Sequence, residues 1–194
     1  MTDNKTETAA SLFRIRPATE EDVPFISWAV MTAAGIENPT EEMQQMSRML
    51  CSRTDVLYSW KNSLVTTLGE QPVGSLTCYS GTDYAALRRT TMILIARYSG
   101  EDFRNMDMET GPGEFYLDSM AVLPEFRKRG LASNMLKAGI TQAARLDIPT
   151  VSLVVSPQKP QAQHLYESIG FRYKHDINIF NQTYRKMTRK AETL

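Results

Sequence analysis

The chain has 194 residues, 42% of them hydrophobic, with 22 acidic against 22 basic side chains and a formal net charge of zero. That size supports one domain with its own core and no disulfide or metal staple, and the charge balance argues against a nucleic-acid partner, which would call for a basic excess or stripe. Cys51 and Cys78 stand outside any CxxC or histidine cluster, so no metal site is expected and both read as thiols in a reducing cytoplasm. No apolar run approaches the ~18 residues of a membrane span, and the polar start lacks a signal peptide. A cytoplasmic protein without a membrane partner is the expectation.

Residues 1–11 read as a disordered polar tail and 12–194 as a single domain. Leu12 to Ile15 alternates as a short strand. Thr19, followed by Glu20, Glu21 and Asp22, is a helix start, with Val23, Ile26, Val30 and Ala33 at helical spacing behind it. A second amphipathic helix follows Thr40, with Met43, Met46 and Leu50 on one face. Ser63–Leu68 and Val73–Tyr79 form a hairpin around a turn at 69–72. Residues 81–98 fit a helix or a strand equally, and 99–113 read as a loop.

In the second half, Phe115–Val122 is a strand ended by Pro124. A helix begins near Gly130 with Leu131, Met135, Leu136 and Ala143 on its buried side. Val151–Val155 is a strand buried on both faces. A short helix from about Gln161 to Ser168 ends at Gly170, where a C-terminal cap belongs. Phe171–Ile179 and Thr183–Thr188 are the last strands. The fold class is therefore α/β, a mixed twisted sheet of six or seven strands with helices on both faces.

The segment from Met120 to Ser133 is a strand, a basic glycine-containing turn and a helix start. Backbone N–H groups converging at a helix N-terminus make an anion cradle, to which Arg127, Lys128 and Arg129 add charge. Taken alone, the same turn also fits a solvated helix cap. Neither GxxxxGK[ST] nor an early GxGxxG is present, so ATP and NAD are poorly supported.

Arg127 to Ala132 resembles the pyrophosphate signature [Q/R]-x-x-G-x-[G/A] of the GNAT superfamily of N-acetyltransferases, and Ala162 to Phe171 is similar to that family's A-x-x-L-Y-E-x-x-G-F segment. The resemblance covers roughly residues 114–173. It implies acetyl-CoA as co-substrate, entering where two central strands splay. The strand at Met120, Ala121 and Val122 would carry the pantetheine arm, bonded by the backbone of Met120 and Val122. The N–H groups of Arg127, Lys128, Arg129, Gly130, Leu131, Ala132 and Ser133 would hold the pyrophosphate. Tyr166 matches the tyrosine that protonates the departing thiolate; a packing role is the other reading. Lys159 stands where many relatives carry asparagine, which puts the usual side-chain contact to the arm in doubt.

Asp118 is the candidate general base, on a strand face shared by residues 114, 116, 118 and 120; a structural acid is the alternative. Glu114 is a second candidate, and Tyr116 sits near where some relatives place a glutamate. Tyr58, Trp60 and Asn62 lie in the half where relatives shape the acceptor pocket. His164 and His175 have no partner at metal spacing. The implied reaction moves an acetyl group to a primary amine of a small molecule or protein N-terminus, in a monomer or homodimer. A non-catalytic CoA or acyl-CoA binding module is the alternative.

Overall fold

The computed structural model describes residues 12–101, 103 and 106–192; the N-terminal tail lies outside them. Its elements in chain order are β1 (Phe13–Pro17), α1 (Val23–Ala33), α2 (Glu41–Ser52), β2 (Ser63–Leu68), β3 (Gln71–Ser80), α3 (Tyr84–Ser99), β4 (Glu114–Val122), α4 (Leu131–Arg145), β5 (Thr150–Val155), α5 (Pro160–Ser168), β6 (Arg172–Ile179) and β7 (Gln182–Lys190). One seven-stranded sheet runs β1-β2-β3-β4-β5-β7-β6. The contact between β4 and β5 is the one parallel pairing; the others are antiparallel.

Local chemistry explains the helix starts. Asp22 accepts the backbone N–H of Thr19 at 2.8 Å and grips Arg16 with bonds of 2.6 and 2.9 Å, which fixes the entry into α1. Thr40 Oγ1 accepts the N–H of Met43 at 3.2 Å and starts α2. The expected apolar face of α2 is rotated: Ser47, Leu50 and Cys51 are buried, whereas Met43 is 39% exposed. The methionine stripe is therefore only partly core. Residues 81–98 resolve in favour of helix, and α3 is closed by Gly100 in the left-handed conformation at φ 71°.

Helices α4 and α5 cover one face of the sheet. There Met135, Leu136 and Ile140 pack with Leu76, Phe115, Leu117, Val151 and Leu153, and Leu165 and Tyr166 close over them. A Cβ at Gly139 would sit 2.8 Å from Leu117 Cδ2 and 3.3 Å from Leu76 Cδ2, so this glycine lets α4 approach the sheet closely. The opposite face carries α1, α2 and α3 over Val65, Tyr79 and Tyr116. Among the described residues, no helix is long and apolar enough to cross a membrane.

Two irregularities position the site. Cys78 pairs with Leu117 and Leu76 with Met120, so Asp118 and Ser119 together oppose Thr77 in a bulge. A bulge shifts the alternation of side chains. Met120 consequently joins Phe115, Leu117 and Val122 on the α4 side, and the face expected to carry 114, 116, 118 and 120 together is broken after Asp118. The second irregularity is the short β4–β5 ladder, which pairs only Glu114–Tyr116 with Thr150–Ser152.

Candidate functional site

Beyond Tyr116 and Ser152, β4 and β5 part, while β4 stays paired with β3 as far as Val122. The stretch from Leu117 to Val122 thus presents an edge with no strand against it on the β5 side. Met120, Ala121 and Val122 lie on that edge. The Val122 carbonyl accepts Arg127 Nε at 3.0 Å, which ties the following turn to the strand.

At the end of the edge stands the turn from Arg127 to Gly130. Lys128 at φ 61° and Gly130 at φ 78° both adopt left-handed backbone, which Gly130 tolerates without strain. The chain folds back on itself there: Arg129 donates to the Glu125 carbonyl at 3.3 Å, and its guanidinium lies 5.3 Å from the Phe126 ring centre. Among the described residues, the N–H groups of 128–133 make no turn or cap bond, and the first turn of α4 contains no acid. Nothing lies within 4 Å of a Cβ built on Gly130. Open space, free donors and the helix dipole suit a diphosphate.

The α1–α3 face below the parting strands holds two carboxylates in a tyrosine cluster. Asp118 accepts the Tyr79 hydroxyl at 2.5 Å and the Ser119 hydroxyl at 2.8 Å. Glu109, in the loop before β4, accepts the Tyr116 hydroxyl at 2.6 Å and the Tyr84 hydroxyl at 3.3 Å. The rings interlock: Tyr79 and Tyr84 stack with centres 6.3 Å apart, and Tyr79 lies 5.8 Å from Tyr116. Burial raises the Asp118 carboxyl against the pull of its two hydrogen bonds. Burial, reinforced by the charge of Asp118, lifts Glu109 to about 7. Both residues are half-buried.

Residues 35–171 match the Acetyltransferase (GNAT) family. The chain belongs to the GNAT acetyltransferase family. A segment of 64 residues is 42% identical to a mycothiol acetyltransferase of Acidimicrobium ferrooxidans, covering 33% of this chain and 20% of that protein; the chain spans about a fifth of the length of that curated relative. A solved acetyltransferase is 25% identical with TM-score 0.74, over 92% of this chain and 100% of its own. An N-acetyltransferase from Staphylococcus aureus Mu50 shares the fold at 20% identity and TM-score 0.76, over 91% and 100% of the two chains. GNAT acetyltransferases generally use acetyl-CoA.

The other residues singled out in the sequence fall in different places. Glu114 accepts Lys186 Nζ at 2.7 Å, Ser152 Oγ at 2.9 Å and Thr110 Oγ1 at 3.1 Å. Burial works to raise its carboxyl, but the bonds from Lys186 and Ser152 outweigh it and hold it below the usual range, so Glu114 serves as a cross-strand tie. Lys159 Nζ reaches the Ala33 carbonyl at 3.5 Å, at the end of α1. His164 and His175 are exposed, and the described residues hold no cluster suited to a metal. Both cysteines are buried, and burial pushes each thiol up to about 12. Tyr166 packs edge-on to Phe171 at 6.2 Å, and burial raises its hydroxyl. Asn62 is spent on the Val56 and Leu57 carbonyls, whereas Tyr58 sits where the charges of Asp118 and Glu109 are felt. Glu109 and Tyr84 were not found from sequence. Their only signal was a lone acid and a lone aromatic in a segment without legible periodicity.

Proposed function

We propose that the protein transfers the acetyl group of acetyl-CoA to a primary amine, carried by a small molecule or a protein N-terminus. The observation that carries this reading is the unpaired edge of β4, which leads directly to the free N–H groups at the start of α4. The backbone of Met120 and Val122 would bond the pantetheine arm, and residues 127–133 would hold the pyrophosphate. Acetyl-CoA supplies a thioester carbonyl. The acceptor arrives as an ammonium and loses one proton to the Asp118–Glu109 pair. Its neutral nitrogen then forms the C–N bond as the C–S bond breaks, and the second amine proton ends on sulfur, relayed by Tyr166. Burial keeps the Tyr166 phenol protonated at neutral pH, as a proton donor requires.

Calorimetric titration with acetyl-CoA and free CoA tests the binding half, on wild type and on Ser133→Glu. A glutamate in the first turn suits the helix dipole, so the variant should fold at least as well as wild type while repelling a pyrophosphate. Affinity is expected to fall at least ~10-fold, since like charges in contact cost more than ~1.4 kcal/mol. No binding by the folded wild type would defeat the reading. Tyr166→Phe is expected to lower kcat by ~10²-fold and leave acetyl-CoA affinity unchanged. Binding without turnover across a broad amine screen would favour a non-catalytic acyl-CoA module.

A further inference from the structure

The segment 81–113 leaves the sheet after β3 and returns to its immediate neighbour β4. Two glycines close it. Gly81 donates its N–H to the Glu114 carbonyl at 2.7 Å, and a Cβ at Gly81 would overlap the Gly111 carbonyl oxygen. The segment contributes α3 and Glu109 to the floor of the site. Two elements act on Glu109: Tyr84 of α3 and Tyr116 of β4 bond it, and the charges of Arg88 on α3 and Asp118 on β4 bear on it. The charge of Glu109 is also felt at Tyr58, Tyr79 and Tyr184.

The two carboxylates are held differently. Each oxygen of Asp118 has a short bond, from Tyr79 and from Ser119. Glu109 has one short bond, from Tyr116 at 2.6 Å, while the Tyr84 hydroxyl reaches its other oxygen only at 3.3 Å. Asp118 is therefore held at both oxygens, and Glu109 keeps one weakly used oxygen. Two like charges that act on one another resist joint ionisation. The firmly bonded acid is the one that stays charged, and the loosely bonded one is free to exchange a proton.

Resting on the acetyl-transfer reading, we propose that Glu109 is the group that takes the proton from the acceptor ammonium, and that Asp118 is a positioning residue that holds Glu109 ready through its charge and through Tyr79. In that step the ammonium N–H bond breaks, its electron pair stays on nitrogen, and the proton forms an O–H bond on the weakly held Glu109 oxygen, Oε1. The same oxygen releases the proton to water after the product leaves. The carboxylate pair also sets the acceptor class: a cationic amine, whose charge is met by acid and by tyrosine rings.

The experiment is a carbon-detected NMR titration of the side-chain carboxyls in the full chain, paired with pH–rate profiles using n-butylamine as acceptor probe. In wild type Glu109 should titrate near 7, and kcat/KM should rise with pH through the same value. Asp118→Asn should move both the titration and the rate limb to lower pH, because the neighbouring charge is gone. Glu109→Gln should cost ~10²–10⁴-fold in rate and abolish the limb. The folded state holds a proton on Glu109 between 4.5 and about 7 that the unfolded chain releases, so stability should fall as pH rises through that window, and Glu109→Gln should flatten the slope. Asp118 titrating near 7 with Glu109 ionised below 5 would overturn the assignment. So would a full loss of rate in Asp118→Asn with Glu109→Gln active. A wild type that titrates as stated and binds acetyl-CoA but acetylates neither n-butylamine nor any amine of a broad screen would instead count against acetyl transfer.

Discussion

On the side of β4 proposed to take the cofactor, the groups assigned to binding come from one continuous window, Met120 to Ser133, running from the open strand edge through the turn into α4. On the opposite face the corresponding groups are scattered. Asp118 lies on β4, Glu109 in the preceding loop, Tyr79 on β3 and Tyr84 on α3. The first half is a local device whose geometry follows from a few adjacent residues. The second exists only once the chain between β3 and β4 has folded back against its neighbours. A local site depends mainly on its own window and on what supports it, whereas a composite one is vulnerable wherever the chain that builds it is anchored.

Gly81→Ala is the strongest way to break this contrast. A methyl group there meets main chain, not a flexible side chain, so the stretch carrying Glu109 must shift. Misplacement by an ångström is expected to cost ~10²-fold in kcat. Acetyl-CoA affinity, set on the other face, should stay within about twofold; parallel loss of both would show that the two halves are not separate. Gly139→Ala is the counterpart from the α4 side. Its methyl would press on Leu117 and Leu76, at a cost of about 1–3 kcal/mol in chemical denaturation, and by lifting α4 it should weaken acetyl-CoA binding before it touches the pH profile. Met43→Ala is the smallest test. The side chain is largely exposed, so a change within ~0.5 kcal/mol is expected, against ~2–5 kcal/mol for buried Leu50→Ala on the same helix.

Most elements were legible because hydrophobic spacing and caps are local: Thr19 with Asp22, Thr40 with Met43 and the run Val151–Val155 each declare themselves within a few residues. α3 was ambiguous because its helix is only weakly amphipathic; Tyr84, Thr91 and Met92 are its buried residues, with half-buried Thr90 next to buried Thr91. The bulge at Asp118–Ser119 was invisible, since it depends on the register with β3 and strand alternation alone assumes regularity. Glu109 was missed for the same reason, because its partners lie up to 25 residues away in sequence. The turn and the tyrosine of α5 were found by motif, and the second carboxylate had none.

Glu114 shows what happens at the closed end of the parted strands. Its carboxylate fastens β4 to Ser152 on β5 and to Lys186 on β7, at the level where the three-rung ladder begins. The sheet behaves there like a spring clip. The rivet at one end bears on how far the jaws stand apart at the other, so in the acetyl-transfer reading the width of the proposed cofactor slot would depend on a residue on the strand that lines it, several positions from the jaw. Loosening that rivet would change the compliance of the slot rather than its chemistry.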